Sequence, residues 1–357
     1  MKKYVLLVIL FSIPLIFFGT TKNLVYLIPG GMGFSHLSLL KYTSLKLPAI
    51  FTFDDVGFVI NNSANSYLID EAAAGTALAT GFKTMNGFIG LDSLGRPVNN
   101  IFDASLIQGK AIGLITDSNL LEPLTMSFYA HTKNPGDFQN AFFSFLEKNP
   151  DVVFGKMDEK IAQNLRTKLS PDFTIIKSKD ELLSIEPWRI KKLLGFYSID
   201  DTATISEILE KSLEILSRNP EGFVLIVVLK GIEKASIKND SKSLIESLKE
   251  FDSVTKKLLD FCKSEGDTLF VVVSPYEIGI PYLDNSFDLA NILSTGDATE
   301  IKGINWANKS ITSNTTFVFA YGPGSDKFRG FHRLSNIALL IADTLKLELP
   351  GSFEIIN

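Results

Sequence analysis

Six short, almost unbroken apolar runs punctuate the chain: Leu24–Ile28, Ala111–Thr116, Val152–Phe154, Phe223–Leu229, Thr268–Val273 and Thr316–Tyr321. Their length and β-branched content predict strands covered on both faces. Between them, Asn100–Gln108, Phe138–Glu147, Ser206–Ser217, Leu244–Ser264 and Ser335–Leu345 carry apolar residues at three- and four-residue spacing, the period of a helix with one buried face. Strand and helix alternating in this way predict an α/β fold. We expect a three-layer sandwich with a largely parallel central sheet and helices on both faces. In such sheets ligands bind beyond the carboxyl ends of the strands. Those ends read Pro29-Gly30-Gly31, Thr116-Asp117-Ser118, Leu229-Lys230-Gly231, Ser274-Pro275-Tyr276 and Tyr321-Gly322-Pro323. There is no internal repeat. Thr167 to Gly195 and Pro281 to Ser310 lack a clear period and read as excursions from the core.

The first residues follow a different pattern. Lys2 and Lys3 precede an apolar run from Tyr4 to Phe18, broken only by Ser12 and Pro14. A basic start and a short apolar stretch make a secretory signal, and the run falls short of the roughly 20 residues of a membrane span. Residues 1–21 are therefore expected to be a signal peptide, cleaved near Gly19-Thr20-Thr21, or a retained N-terminal membrane anchor. Residues 22–357 then form one domain, outside the cytoplasmic membrane: periplasmic, envelope-associated or secreted.

Composition narrows the classes. With 357 residues, 45% hydrophobic and 21% charged, the chain can build a sizeable core and is not a disordered sequence. A net charge of −5 lacks the basic footprint of a nucleic-acid binder. The single cysteine, Cys262, permits no internal disulfide and reads as a small buried residue on a helix. His36, His131 and His332 are widely scattered, which argues against a histidine-rich zinc site.

The sharpest local signal is Asp70-Glu71-Ala72-Ala73-Ala74-Gly75-Thr76-Ala77-Leu78-Ala79-Thr80-Gly81, followed by Asn86-Gly87-Phe88-Ile89-Gly90. So many small residues in one helix imply a backbone packed closely against a neighbour. The segment resembles the nucleophile region of the alkaline phosphatase family, which reads Asp-Ser-Ala-Ala-Ala-Gly-Thr-Ala-Leu-Ala-Thr-Gly. Residues 23–33, 109–131, 222–240, 266–279 and 317–332 resemble further blocks of that family in its own order, so the likeness spans nearly the whole mature chain.

The resemblance implies a chemistry and the positions that carry it. In that family a serine attacks a phosphate ester between two zinc ions, with a magnesium site nearby and an arginine on the phosphate. Here the serine position holds Glu71. Gly30 stands where a ligand aspartate is expected, Glu122 at an aspartate or histidine, and Leu124 at a threonine. The arginine falls on Pro135. A ligand glutamate becomes Val228, the next aspartate becomes Glu233, and its partner histidine becomes Ile237. The aspartate–histidine pair reads Pro275-Tyr276, and the last histidine becomes Ile311. Only Glu122 and Glu233 remain oxygen donors among these ligand positions. Zinc requires about four nitrogen, sulfur or oxygen donors, so the resemblance implies a member without its metals and without its nucleophile.

Several alternatives stand. Glu71 is a favourable charge at a helix start, a mimic of a phosphorylated serine, or a carboxylate nucleophile. Asp70, Glu71, Glu122, Glu233 and Glu277 are expected to converge, either holding a hard cation such as Ca²⁺ or Mg²⁺ or being neutralised by Lys230, Lys234 or Lys133. Gly30, Gly31 and Gly33 form a phosphate cradle or an ordinary glycine turn. The histidines are read as structural, and Asp54-Asp55 and Asp200-Asp201 as loop or helix-start residues. The leading expectation is an exported pseudoenzyme without cofactor. It would act as a binding or structural envelope component whose partner is unknown, or as a binder of a small phosphate-like ligand, with a homodimer left open. The alternative is a phosphomonoesterase using Zn and Mg through substituted ligands.

Overall fold

A computed structural model describes residues 21–166, 171–197, 203–287 and 303–354. The apolar N-terminal run and Asp200-Asp201 lie outside the described residues. Eight strands come first: β1 (Asn23–Pro29), β2 (Asp55–Ile60), β3 (Ala111–Asn119), β4 (Val152–Lys156), β5 (Phe173–Ile176), β6 (Lys192–Tyr197), β7 (Phe223–Leu229) and β8 (Thr268–Val273). Four short strands follow, β9 (Glu277–Ile278), β10 (Pro281–Leu283), β11 (Ile304–Trp306) and β12 (Ile311–Thr312), then β13 (Thr316–Tyr321) and β14 (Gly330–Arg333). The α-helices are α1 (Phe34–Thr43), α2 (Glu71–Thr80), α3 (Ile101–Ile107), α4 (Pro123–Met126), α5 (Phe138–Glu147), α6 (Glu159–Arg166), α7 (Lys179–Ser184), α8 (Ile205–Leu216), α9 (Gly231–Lys238), α10 (Ser241–Glu265) and α11 (Leu334–Leu345).

Ten of the strands make one sheet in the order β14-β2-β13-β8-β1-β7-β3-β4-β6-β5. Every neighbouring pair is parallel except the two made by β13, which runs against both β8 and β2. All six apolar runs read from the sequence are strands of this sheet. Alternation along β1 explains the two cores. Leu24, Tyr26 and Ile28 enter one apolar layer with α2, α3, α5 and α11, while Val25 and Leu27 enter the other with α1, α8 and α10. The expected three layers are therefore present. Cys262 is buried on α10, where burial pushes its thiol pKa up.

Two expectations need correction. The segment from Thr167 to Gly195 is not an excursion, because it contributes β5 and β6, which extend the sheet to its edge. Three of the four residues of β5 are only half-buried, so this strand lacks the continuous apolar signal of a central one. Asp55 is not a loop residue either. It opens β2, is buried, and accepts hydrogen bonds from Ser325 Oγ and Arg329 Nε. The described parts of Pro281 to Ser310 do leave the sheet, with β10 and β11 pairing antiparallel apart from it; residues 288–302 lie outside the described residues.

Helix α2 owes its place to its small residues. Asp70 caps its start by accepting from Ala73 N–H at 2.8 Å. Gly81 ends it in the left-handed region (φ 78°), a conformation glycine adopts without cost. A Cβ at Gly75 would lie 2.5 Å from Ser127 Oγ and 2.8 Å from the Leu124 carbonyl. Replacing an exposed helical glycine by alanine gains about 1 kcal/mol. Gly75→Ala is instead expected to destabilise by about 1–3 kcal/mol, the usual range for overpacking, as read from the urea unfolding midpoint. An unchanged or raised midpoint would contradict this close approach.

Candidate functional site

The carboxyl ends of β1, β7, β3 and β8 meet the start of α2, as the parallel topology requires. The register pairs Pro29 with Leu229, so Gly30 and Lys230, the next residues, are neighbours. Gly30 N–H donates to the Leu229 carbonyl at 2.8 Å. Lys230 is the cap residue before α9, and Asp117 near the end of β3 fixes that helix start by accepting from Lys230 N–H (2.7 Å) and Gly231 N–H (2.9 Å).

The Lys230 side chain turns inward and is 2% exposed. Its ammonium lies 2.7 Å from Glu71 Oε2, 2.8 Å from Glu233 Oε1 and 3.8 Å from Glu122 Oε2. Three carboxylates, from α2, α9 and the residue before α4, therefore face one cation. Tyr276 is wholly buried and donates its hydroxyl to the other Glu233 oxygen at 2.8 Å. On the outer side Lys234 Nζ lies 3.6 Å from Glu122 Oε1 and donates to Ser118 Oγ, which in turn donates to Glu122.

Charge accounts for the protonation states. Burial alone would lower the Lys230 pKa, but the nearby charges of Glu233 and Glu71 outweigh it and the pKa is raised. Lys230 stays an ammonium. Burial, reinforced by the neighbouring Glu71 charge, pushes Glu233 up to about 7 against the pull of Lys230. The two shifts are compatible because three acids share one buried cation, and the most enclosed acid takes up the proton that relieves the excess negative charge.

The predicted site residues divide into three groups. Glu71, Glu122 and Glu233 converge, and Tyr276 joins them through its hydroxyl. Gly30 also belongs here, since a Cβ on it would lie 2.7 Å from Glu233 Oε2 and 3.2 Å from Lys230 Cδ. The missing side chain is thus the space that Lys230 and Glu233 fill. Asp70 and Glu277 do not join. Asp70 caps α2 and also accepts from Gly87 N–H, whereas Glu277 accepts from Ser35 Oγ (2.6 Å) and Asn314 Nδ2 (2.8 Å).

The remaining positions supply no side-chain donor. Leu124 and Val228 are fully buried in the core layer around α2, and Ile311 packs against that layer from β12. Ile237 is 46% exposed on α9. Pro275 offers only its carbonyl, to Asn61 Nδ2, and Pro135 begins a 3-10 turn. Lys133 neutralises none of the cluster; its ammonium sits 5.5 Å from the centre of the Phe88 ring.

One open alternative closes. The glycine turn is not a phosphate cradle, because Glu233 packs on Gly30 and Gly31, and Glu277 packs on Gly33. Carboxylates on that backbone repel phosphate. The histidines are structural, as expected. His36 is fully buried, accepts from Gly33 N–H on Nδ1, and is left with Nε2 to donate to Ser236 Oγ. Burial holds its pKa below the usual range. The other two rings bond backbone carbonyls, His131 at Gly90 and His332 at Arg329.

A sequence profile of the alkaline phosphatase family matches residues 21–148 and 177–282, more than half of the chain. The chain belongs to the alkaline phosphatase family. It is 22% identical to alkaline phosphatase 4 of Bacillus subtilis (strain 168), over 91% of this chain and 89% of that protein. It is likewise 22% identical to alkaline phosphatase H of Pseudomonas aeruginosa, over 91% and 85%. Among solved structures, alkaline phosphatase from the Antarctic bacterium TAB5 superposes with a TM-score of 0.78 at 24% identity, covering 92% of this chain and 99% of that one. The Thermus thermophilus enzyme gives 0.79 at 18% identity, with 92% of both covered. Both structures share the fold.

The family implies zinc and magnesium, so the donors must be tested against them. Paired zinc does not fit the residues present. Among the described residues no imidazole or thiol reaches the cluster, which offers three carboxylates and a phenol, and a lysine ammonium already stands between them.

The raised Glu233 pKa has a testable sign. Between about pH 4.5 and 7 the folded chain holds a proton on Glu233 that the unfolded chain releases, so folding is favoured as the pH falls through that window. Relative to Glu233→Gln, the wild-type chain is expected to gain up to about 3 kcal/mol as the pH falls from about 8 to 5, measured by urea unfolding across pH. A flat difference would show that Glu233 is not held protonated.

Proposed function

We propose that this member of the alkaline phosphatase family is a pseudoenzyme, exported and working outside the cytoplasmic membrane as a binding or structural component. The observation that carries the reading is the ion pair of Glu71 with Lys230 at 2.7 Å. Glu71 stands where the resemblance places the nucleophile, and a carboxylate held by a buried ammonium is neither a serine hydroxyl nor free to attack. Metal-assisted phosphoryl transfer needs cations that can take the attacking and leaving oxygens into their coordination shell. An ammonium whose surroundings are three acids has no such position to offer. The positive end of α2 is likewise already committed, to the Asp70 cap and Glu71.

Export rests on the basic start and apolar run of residues 2–18. Among the described residues no helix is long and apolar enough to cross a membrane.

Purified protein incubated with a chromogenic phosphate ester, Zn²⁺ and Mg²⁺ is expected to give only background hydrolysis, and Glu71→Ser is expected to remain equally inactive. Turnover above about 1 s⁻¹, ordinary for enzymes, would overturn the reading in favour of a phosphomonoesterase with substituted ligands. Fractionation of the source cells is expected to place the protein outside the cytoplasmic membrane; recovery from the cytosol would contradict export.

A further inference from the structure

We infer that Glu71, Glu122 and Glu233 form a cation site whose occupant is supplied by the chain itself, the Lys230 ammonium, and that vacating it leaves an oxygen-lined site for one hard divalent cation. This deepens the pseudoenzyme reading and rests on it, because it explains why the donor set and paired zinc disagree. Three observations lead to it. The oxygens Glu71 Oε2, Glu233 Oε1 and Glu122 Oε2 stand 2.7, 2.8 and 3.8 Å from one nitrogen. Two of them, Glu71 Oε2 and Glu122 Oε2, are buried atoms that accept no hydrogen bond, so the ammonium charge is what answers them. Finally, the lysine stem reaches this point through space at Gly30, where any Cβ would crowd Lys230 Cδ at 3.2 Å and Glu233 Oε2 at 2.7 Å.

The chemistry is that of a tethered ion. An ammonium carries three donors and no acceptor, which suits three carboxylate oxygens arriving from different elements. Charge-assisted N–H···O bonds run about 2.7–2.9 Å, and Ca²⁺–O contacts about 2.3–2.6 Å. Glu71 Oε2 and Glu233 Oε1 therefore need to close by only a few tenths of an ångström to hold a hard cation, while Glu122 Oε2, at 3.8 Å, has to swing in by about 1.2 Å or more. Tyr276 keeps one end of Glu233 fixed, and Lys234 with Ser118 keeps the other oxygen of Glu122 engaged. Removing Lys230 would leave three acids facing one half-exposed lysine. A divalent cation is the simplest charge that restores balance, and the absence of nitrogen and sulfur donors selects the oxygen-seeking class.

The test uses the whole mature chain, and reads metal binding and stability rather than turnover. A catalytically active wild type would therefore sink the pseudoenzyme reading without deciding this experiment. Melting temperature and isothermal titration are compared in EDTA and in millimolar Ca²⁺ or Mg²⁺. Wild-type protein is expected to show no change. Lys230→Met is expected to melt lower in EDTA and to rise saturably, by about 5 °C or more, with one cation bound per chain. The neutral variant Glu71→Gln, Lys230→Met, Glu233→Gln is expected to fold and to lose the cation response. If Lys230→Met cannot be purified in EDTA, refolding only when the cation is present supports the proposal, provided the neutral variant folds. The proposal is overturned if Lys230→Met, folded or refolded, shows no response to either cation, or if the neutral variant fails to fold. It is equally overturned if wild-type protein binds a divalent cation that Glu71→Gln or Glu233→Gln removes.

Discussion

A buried ammonium surrounded by three carboxylates is the constraint around which this end of the molecule is arranged. Taking a charge out of water costs several kcal/mol unless partners of opposite sign surround it. Lys230 meets that condition only because four elements deliver their groups to one point. Helix α2 begins at Glu71, Lys230 caps the start of α9 and Glu233 lies in its first turn, the turn before α4 brings Glu122, and the end of β8 leads to Tyr276. Asp117 then holds the start of α9 in place through two backbone N–H groups. Each part is explained by the cation it serves.

The residues of the site are consequently linked to one another. The glycine at position 30 supplies the room, and the lysine at 230, its neighbour across the paired strands β1 and β7, supplies the charge that uses it. Glu71 takes a share of that charge. A scaffold whose architecture leaves a negatively lined hollow at the carboxyl ends of its strands must fill the hollow with something positive. A covalently attached ammonium does so without depending on metal supply, but it has no open coordination position for a phosphoryl oxygen. The packing around the hollow is close, since the small residues of α2 approach α4 and α11 closely and both core layers are continuous.

Much of this architecture was legible in the sequence. The central strands are apolar on both faces and left continuous runs, and α10 and α11 declared themselves by period. What was missed lies at the sheet's edges, where one side meets solvent. In β2, Val56 and Phe58 are partly exposed between buried neighbours, and β5 is mostly half-buried, so neither shows an unbroken apolar run. At the site, the resemblance identified Glu71, Glu122, Glu233 and the emptied Gly30. Pattern alone did not choose among Lys230, Lys234 and Lys133 as the neutralising group, because that choice depends on the strand register that sets Gly30 beside Lys230. Glu277 was wrongly grouped with the cluster, since a sequence does not reveal that Ser35 and Asn314 claim it. The Tyr276 hydroxyl was read as a lost ligand, and only its distance to Glu233 shows it as a hydrogen-bond donor.

Whether Lys230 fills the hollow in place of a metal is read from an anomalous-difference map at the zinc edge, from crystals grown with excess Zn²⁺. Light-atom density continuous with the Lys230 stem is expected between Glu71 and Glu233, with no anomalous peak there. A strong peak at that point, with the lysine displaced, would contradict it.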